Sequence, residues 1–314
     1  VRAVAAQLGY VPNQFARRLR SGKSRLIGLL VAEVYTPFMA EIIAGVEHEI
    51  IEQGYNVLVF STFRDIEIEQ RVVQSVCELM VEGIIVAACE EENPLLRQLC
   101  ENRFPLVYLD SKPPLPDCAY VMNDMEAVAR LGTEYLLSLG HQRILLVNGE
   151  ERIKSFSAFS GLEKGYRAAL KKAGVAPESD LIRYHGIAIR DGYAAVQSAL
   201  EEDVDFSAVF AVSDHVALGV IECLEAHGER VPDDISVLGI DNSEISGLSR
   251  IGLSTIETYH KNSGKADMGT LAAQSLLEMI EGGGSTPVRA TTLKPRLVRR
   301  QSCQNIQAKP NAPP

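Results

Sequence analysis

The sequence predicts an α/β protein of two doubly wound parallel-sheet lobes with a cleft between them, preceded by a short basic segment. Three observations predict it. Short apolar runs rich in Val, Ile and Leu alternate with amphipathic stretches of helical period along most of the chain, as expected of strands covered by helices on both faces. The number of such strand–helix units exceeds one compact open sheet, and 314 residues suffice for two domains of ordinary size. Hydrophobic residues make up 46% and charged residues 23%, the balance of a globular protein with a core.

The elements follow in order. LIGLLV at 26–31 is a buried apolar run. Residues 38–53 place Ile42, Ile43, Val46 and Ile50 on one helical face and end at Gly54. NVLVF at 56–60 is a strand, 65–81 a helix, GIIVA at 83–87 a strand, 93–102 a helix and PLVYL at 105–109 a strand. A turn-rich KPPLPDC stretch leads to a helix at 124–139 and a strand at 144–147. The rhythm continues with helices near 160–173, 191–202 and 214–227 and strands near 181–185, 208–212 and 236–240. The predicted division is 1–23 as a separate segment, 24–148 plus about 258–284 as one lobe, 149–257 plus about 285–301 as the other, and 302–314 as a disordered tail. No short internal repeat is visible. Ligands in such folds sit beyond the carboxyl ends of the strands, so residues after Val31, Phe60, Val147, Val212 and Ile240 are the ones to inspect.

Charge is divided unevenly. Residues 1–32 hold Arg2, Arg17, Arg18, Arg20, Lys23 and Arg25 and no Asp or Glu, while the whole chain carries a net charge of -10. The remainder is therefore strongly acidic and repels a polyanion, so the basic arm is the place for nucleic acid to bind, or else a solvated terminus without a partner. No apolar run is long enough for a membrane span, and no signal peptide is evident. Six scattered cysteines without a C-x-x-C pair point to reduced thiols in a cytoplasmic protein and away from zinc. No phosphate loop, nucleophile elbow or H-E-x-x-H helix is present. The six histidines lack ligand spacing and read as surface or capping residues. No catalytic residue, metal or cofactor is expected, and the chain is read as a non-enzyme.

Several motifs in order carry a resemblance. They are Gly9-Tyr10-Val11-Pro12-Asn13 followed by Ala16-Arg17-Arg18-Leu19, Ser24–Val31, Pro37-Phe38 with Ile42, Gly45 and Val46, Leu139-Gly140-His141 through Ile144, and Gly165-Tyr166-Arg167-Ala168-Ala169-Leu170. Ser213-Asp214 with Ala217-Leu218-Gly219, Val231 through Ser236, Gly239-Ile240-Asp241-Asn242 and Leu253 through Ile256 complete the set. With these, residues 1–301 resemble the LacI/GalR family of bacterial transcription regulators, whose effector domain is periplasmic-binding-protein-like. The resemblance implies a repressor controlled by a small metabolite between the lobes, a homodimer and operator DNA as partner, in the cytoplasm and away from membranes. It makes 1–23 the remnant of a helical DNA-binding headpiece plus a hinge helix, with most of the helix-turn-helix missing, so residues 1–314 should bind DNA weakly and with little sequence preference.

Physical chemistry supports the hinge separately. Pro12 suits the first turn of a helix, and Phe15, Ala16 and Leu19 share one face flanked by arginines, an arrangement that wedges a minor groove open. Asn13, Ala16, Arg17, Arg18, Leu19 and Arg20 are the expected DNA contacts.

For the effector, the resemblance implies Asp241, which can accept from two hydroxyls of a polyol, and Ser213, with Pro37 and Phe38 as an apolar wall and Asp124 near the lobe crossing. Where many relatives carry an Arg before the Gly165-Tyr166 pair, this chain has Leu162, so Lys154 and Arg190 are candidate cations. A neutral sugar and a sugar acid both stay open. Effector binding would change the angle between lobes and so the spacing of two hinge helices in a dimer. The competing reading is a periplasmic-type sugar-binding protein of the same fold.

Overall fold

A computed structural model describes residues 23–89, 93–153, 156–258, 267–282 and 289–306. The expected hinge contacts from Asn13 to Arg20, and Lys154, lie outside them. The described strands are β1 (Leu26–Val31), β2 (Asn56–Ser61), β3 (Gly83–Val86), β4 (Leu106–Leu109), β5 (Ala119–Asn123), β6 (Ile144–Asn148), β7 (Ile182–Tyr184), β8 (Ala208–Ala211), β9 (Ser236–Ile240), β10 (Ser254–Glu257), β11 (Ala290–Leu293) and β12 (Arg296–Val298). The described α-helices are α1 (Pro37–Glu52), α2 (Ile66–Glu78), α3 (Pro94–Glu101), α4 (Met125–Ser138), α5 (Ser157–Lys172), α6 (Ile189–Glu201), α7 (Asp214–Ala226) and α8 (Met268–Glu281).

The strands form two six-stranded sheets, ordered β11-β5-β4-β3-β1-β2 and β12-β10-β9-β8-β6-β7. All pairings are parallel except β10 with β12, where Thr255 faces Val298. Counted within each lobe, both sheets place their second strand beside the first, then the third, fourth and fifth. The two lobes are thus a structural repeat that the sequence does not display as a repeat. Parallel strands buried on both faces explain the uninterrupted apolar runs: every residue of β1, β3, β4, β6, β8 and β9 is buried.

Helix starts facing the cleft are set by local chemistry. Thr36 accepts from the Met39 amide at 3.4 Å, and Pro37 takes the first position of α1. Ser213 accepts from Val216 N at 3.1 Å to cap α7, and Asp124 accepts from Ala127 N at 2.9 Å to cap α4. Between α4 and α5, Gly165 admits the Glu126 carbonyl of the neighbouring helix; a Cβ there would lie 2.7 Å from Ala129 Cβ.

The strand and helix memberships differ from the sequence reading at the lobe boundaries. Helix α4 packs on α5, and β6 pairs with β7 and β8, so residues 125–148 sit with the second sheet rather than the first. Strand β11 lies in the first sheet, paired with β5, rather than in the second. The described elements therefore change sheet at Asp124, from β10 to α8, and from β11 to β12. Helix α8 returns to pack on α1 and the first sheet.

Two further expectations are corrected. The segment after Gln301 is not loose throughout: the Ser302 hydroxyl donates to Val237 O at 2.6 Å and accepts from Ser254 N at 2.8 Å, Gln304 N donates to Ser236 Oγ at 3.1 Å, and Ile306 N donates to Leu139 O at 3.0 Å. Its polar residues lie along the second sheet, where backbone and hydroxyl partners replace the apolar periodicity it lacks. The cysteines are not all reduced thiols, because Cys100 and Cys118 form a disulfide with Cα atoms 6.1 Å apart; they are 18 residues apart in sequence, Cys100 in α3 and Cys118 just before β5. Among the described residues no helix is long and apolar enough to cross a membrane.

Candidate functional site

The carboxyl ends of the strands from both lobes meet around one cavity of about 120 Å³. The first lobe contributes Glu33 and Phe38 beyond β1, Arg64 beyond β2, Asp110 directly after β4 and Asn123 at the end of β5. The second contributes Phe159, Ile187, Ser213, Asp214, His215, Asp241 and Ser243. Backbone strain concentrates here. Phe63 (φ 54°), Arg64 (53°), Asp110 (47°), Asp241 (107°) and Asn242 (58°) all have left-handed dihedrals, which side chains with a Cβ rarely adopt. Each lies within a few residues of a strand's carboxyl end, where such strain commonly marks functional geometry.

The polar lining is acidic. Asp110 and Asp241 stand on opposite lobes. Asp110 accepts only from Asn123, from Nδ2 at 3.2 Å and from the backbone N at 3.5 Å; burial pushes its carboxyl up to about 6 against those bonds. Burial also holds Asp241 well above the carboxylate range, reinforced by the carboxylates of Asp214, Asp110 and Glu41. Asp241 donates its amide to Ile256 O at 2.9 Å, while its carboxylate has no partner among the described residues. Asp214 differs. It accepts from Ser243 N (2.8 Å), Ser243 Oγ (3.0 Å) and Thr255 Oγ1 (2.6 Å) and holds the segment after β9 in place; burial still raises it to about 6.

The one cation among the described lining residues, Arg64, is committed to Glu33 in a two-pronged pair, with Nη2 to Oε1 at 2.9 Å and Nη1 to Oε2. Its guanidinium also sits 6.0 Å above the Phe159 ring, across the cleft. Three buried polar atoms on the cavity have no partner among the described residues: Asn123 Oδ1, His215 Nδ1 and Thr258 Oγ1. Burial lowers the His215 pKa, so its ring is neutral at pH 7. Buried polar groups left unpaired are costly, and a ligand rich in hydroxyls can satisfy both donors and acceptors. The walls are apolar: Phe38, Met39 and Met125 face Phe159, Ile187, Val212 and Ile240. Among the described residues no group of His, Cys, Asp or Glu is arranged to hold a metal ion.

The sequence-derived candidates divide by position. Pro37, Phe38, Ser213 and Asp241 line this cavity. Asp124 does not: it borders an adjoining space with Asp110 and Asn123, and its carboxylate is engaged in capping. Arg190 lies in an outer cavity, its side chain 89% exposed and 3.8 Å from Asp191. Leu162 is fully buried in the second-lobe core and does not line the cavity. The histidines are not uniformly surface residues. His141 is buried between Ser207 Oγ (2.9 Å) and Gln304 O (3.2 Å), and His215 lines the cavity. Glu33, Arg64, Asp110, Asn123 and Phe159 were missed. Asp110 follows PLVYL directly, so the strand-end rule, applied to Leu109 as to the other strands, finds it.

A family model described as periplasmic binding proteins and sugar binding domain of LacI family matches residues 24–308. The HTH-type transcriptional repressor PurR of Aliivibrio salmonicida (strain LFI1238) is 30% identical over 308 residues, which cover 96% of this chain and 88% of its own. The ribose operon repressor of Haemophilus influenzae (strain ATCC 51907 / DSM 11121 / KW20 / Rd) is 29% identical over 98% of this chain and 90% of its own. Among solved structures, the transcriptional regulator CelR–cellobiose complex superposes with a TM-score of 0.77 at 28% identity, covering 96% of this chain and 89% of that one.

Proposed function

Because this chain belongs to the family of periplasmic binding proteins and LacI-type sugar binding domains, we propose that it is a transcriptional repressor whose grip on operator DNA is set by a neutral, polyhydroxylated effector bound between its lobes. The alternative of a periplasmic-type binding protein is disfavoured by extent. The match to the ribose operon repressor covers 98% of 314 residues, leaving about six outside. It therefore takes in most of the basic segment before residue 24, which a binding protein does not need.

The carrying observation is the opposition of Asp110 and Asp241. Two carboxylates facing each other across a cleft resist its closure when both are ionised, and the Asp110 carboxylate adds to burial in raising the Asp241 pKa. A ligand whose hydroxyls donate to both removes the repulsion and bridges the lobes. An acidic ligand adds a third negative charge where Arg64 is already paired, which favours a neutral sugar over a sugar acid. In this reading residues 23–123 with 267–293 move against 125–258 with 296–306. The movement is relayed in a cytoplasmic homodimer to the arginine-bearing segment before residue 23, which meets the DNA.

One experiment with two readouts tests it. Sugars, sugar acids and sugar phosphates are screened by thermal shift, and the duplex affinity of the full chain is followed by anisotropy. A neutral sugar should raise the melting temperature and change duplex affinity, and Asp241→Asn should weaken that sugar by about 10- to 100-fold. Unchanged sugar affinity in Asp241→Asn removes the site; binding of sugar phosphates or acids alone overturns the ligand class.

A further inference from the structure

We infer that the cleft carries an outer sugar subsite, on the solvent side of the Glu33–Arg64 pair, in which Tyr35 and Phe63 hold the second ring of a neutral glycoside. The inference rests on the effector reading above and goes beyond it, because it fixes the length of the ligand and names residues outside the inner cavity.

The inner cavity of about 120 Å³ adjoins a second of about 420 Å³, and the two share Glu33, Arg64 and Ile187 as lining. Small-molecule sites commonly measure roughly 300–1,000 Å³. The inner space alone is below that range, whereas the two together fall within it. Tyr35 and Phe63 line the outer space and are 63% and 62% exposed. An aromatic ring left in water without a partner is unfavourable, and two of them beside one cleft form a small apolar platform.

Phe63 is held in place. Its amide donates to Ala32 O at 2.8 Å, one step after Thr62 N donates to Val31 O, so the turn beyond β2 is tied to the segment after β1. Its left-handed backbone, shared with Arg64, sends two neighbouring side chains to different tasks: Arg64 lines both cavities while Phe63 lines the outer one alone.

The rest of the outer lining fits a sugar ring. Arg152 pairs with Glu150, and Arg190 lies 3.8 Å from Asp191. With Arg64 and Glu33, the described lining has three cations and three carboxylates, so it favours neither an anion nor a cation. Aromatic faces suit the C–H faces of a pyranose, and adjacent guanidinium and carboxylate groups supply donors and acceptors to its hydroxyls.

Isothermal titration of the full chain tests the subsite, using glucose, galactose, mannose and ribose against α- and β-linked disaccharides of the hexoses. At least one disaccharide should bind about tenfold or more tighter than its component monosaccharide. Tyr35→Ala/Phe63→Ala should erase that advantage while leaving monosaccharide affinity within about twofold. Arg190→Ala, at an exposed position outside the inner cavity, should lower disaccharide affinity alone and serves as a check should the double variant fold poorly. A monosaccharide that binds as tightly as every disaccharide overturns the outer subsite, and so does an equal loss for both classes in the folded variants. If no saccharide of either length binds the wild-type chain, the effector reading fails and takes the subsite with it.

Discussion

The two lobes share a strand order but brace the cleft differently. On the second lobe the segment after β9 is tied down from several sides. Asp214 accepts three hydrogen bonds, Asn242 Nδ2 donates to Glu257 at 3.0 Å, Arg296 Nε donates to the same carboxylate at 2.7 Å, and Arg300 reaches Asn242 Oδ1 at 2.5 Å and Leu253 O at 2.6 Å. On the first lobe Asp110 leans on Asn123 alone, and Glu33 on Arg64. Beneath the site the second lobe carries a paired buried network, which resists deformation, while its Asp241 carboxylate, His215 Nδ1 and Thr258 Oγ1 have no partner among the described residues. The other presents groups whose partners are few and whose remaining valences point into the cleft. The second lobe thus sets its ligand-facing groups on a braced frame, while the first offers its own from the less supported, more adaptable side.

The largest expected effect separates the two sides directly. Asp214→Ala leaves the Ser243 amide, the Ser243 hydroxyl and the Thr255 hydroxyl without their acceptor and should cost about 2–4 kcal/mol in urea unfolding. Asp110→Asn removes a buried carboxylate with little support and should be neutral or stabilising by roughly 1 kcal/mol at pH 7. Equal losses in the two variants would erase the distinction between braced and adaptable side.

The pH dependence should run in opposite directions for stability and for binding. Asp110 and Asp214 are raised to about 6, and Asp241 is raised well above its ordinary value of 3.8. Between about pH 4 and 6 the native state therefore holds more protons than the unfolded chain, so the contribution of these groups to stability falls as pH rises through that window. Ionised Asp110 and Asp241 accept hydroxyls best, so affinity for a neutral sugar should rise with pH as Asp110 ionises at about 6 and level off once both are charged. Urea unfolding and titration at pH 5 and pH 7 read both slopes. Asp110→Asn should flatten both slopes, whereas a variant of Asp214 should flatten the stability slope to a similar degree and leave the binding slope, because its bonds are internal.

What the sequence disclosed follows the same division. Strands buried on both faces announce themselves as apolar runs, and β1, β6 and β9 were legible to within a residue. Strands β5, β10, β11 and β12 were not, because AYVMN, STIE, ATTL and RLV are short or polar and owe their pairing to neighbours. With β11 and the place of α4 unread, the lobe crossings at 148 and 284 were placed too late and too early. At the site, Asp241 and Ser213 stood at strand ends inside recognisable motifs. Glu33 and Arg64 did not, since they lie 31 residues apart and nothing local to either predicts a pair made by adjacent strand ends. The orphaned Asn123, His215 and Thr258 atoms depend on three-dimensional packing alone.

The smallest expected effect lies where the lobes touch. Phe159 is fixed on the second lobe: Asn148 Nδ2 donates to its carbonyl at 3.1 Å, and its ring packs so closely on Gly149 that a Cβ there would fall 2.5 Å from the ring edge. Arg64 comes from the first lobe to lie over that ring, at the outer limit of cation–π attraction and worth about 0.5–1 kcal/mol. If this contact helps hold the lobes in their ligand-binding arrangement, Phe159→Leu should weaken a bound sugar by roughly two- to fivefold. Because Phe159 also walls the inner cavity, the single variant does not isolate the contact. A double-mutant cycle with Arg64→Met does: the shared part of the loss belongs to the interlobe pair and the remainder to direct contact with ligand. A gain in affinity in either single variant would reverse the assignment, making the Arg64–Phe159 contact a latch that opposes binding and the adaptable lobe the one that must release it.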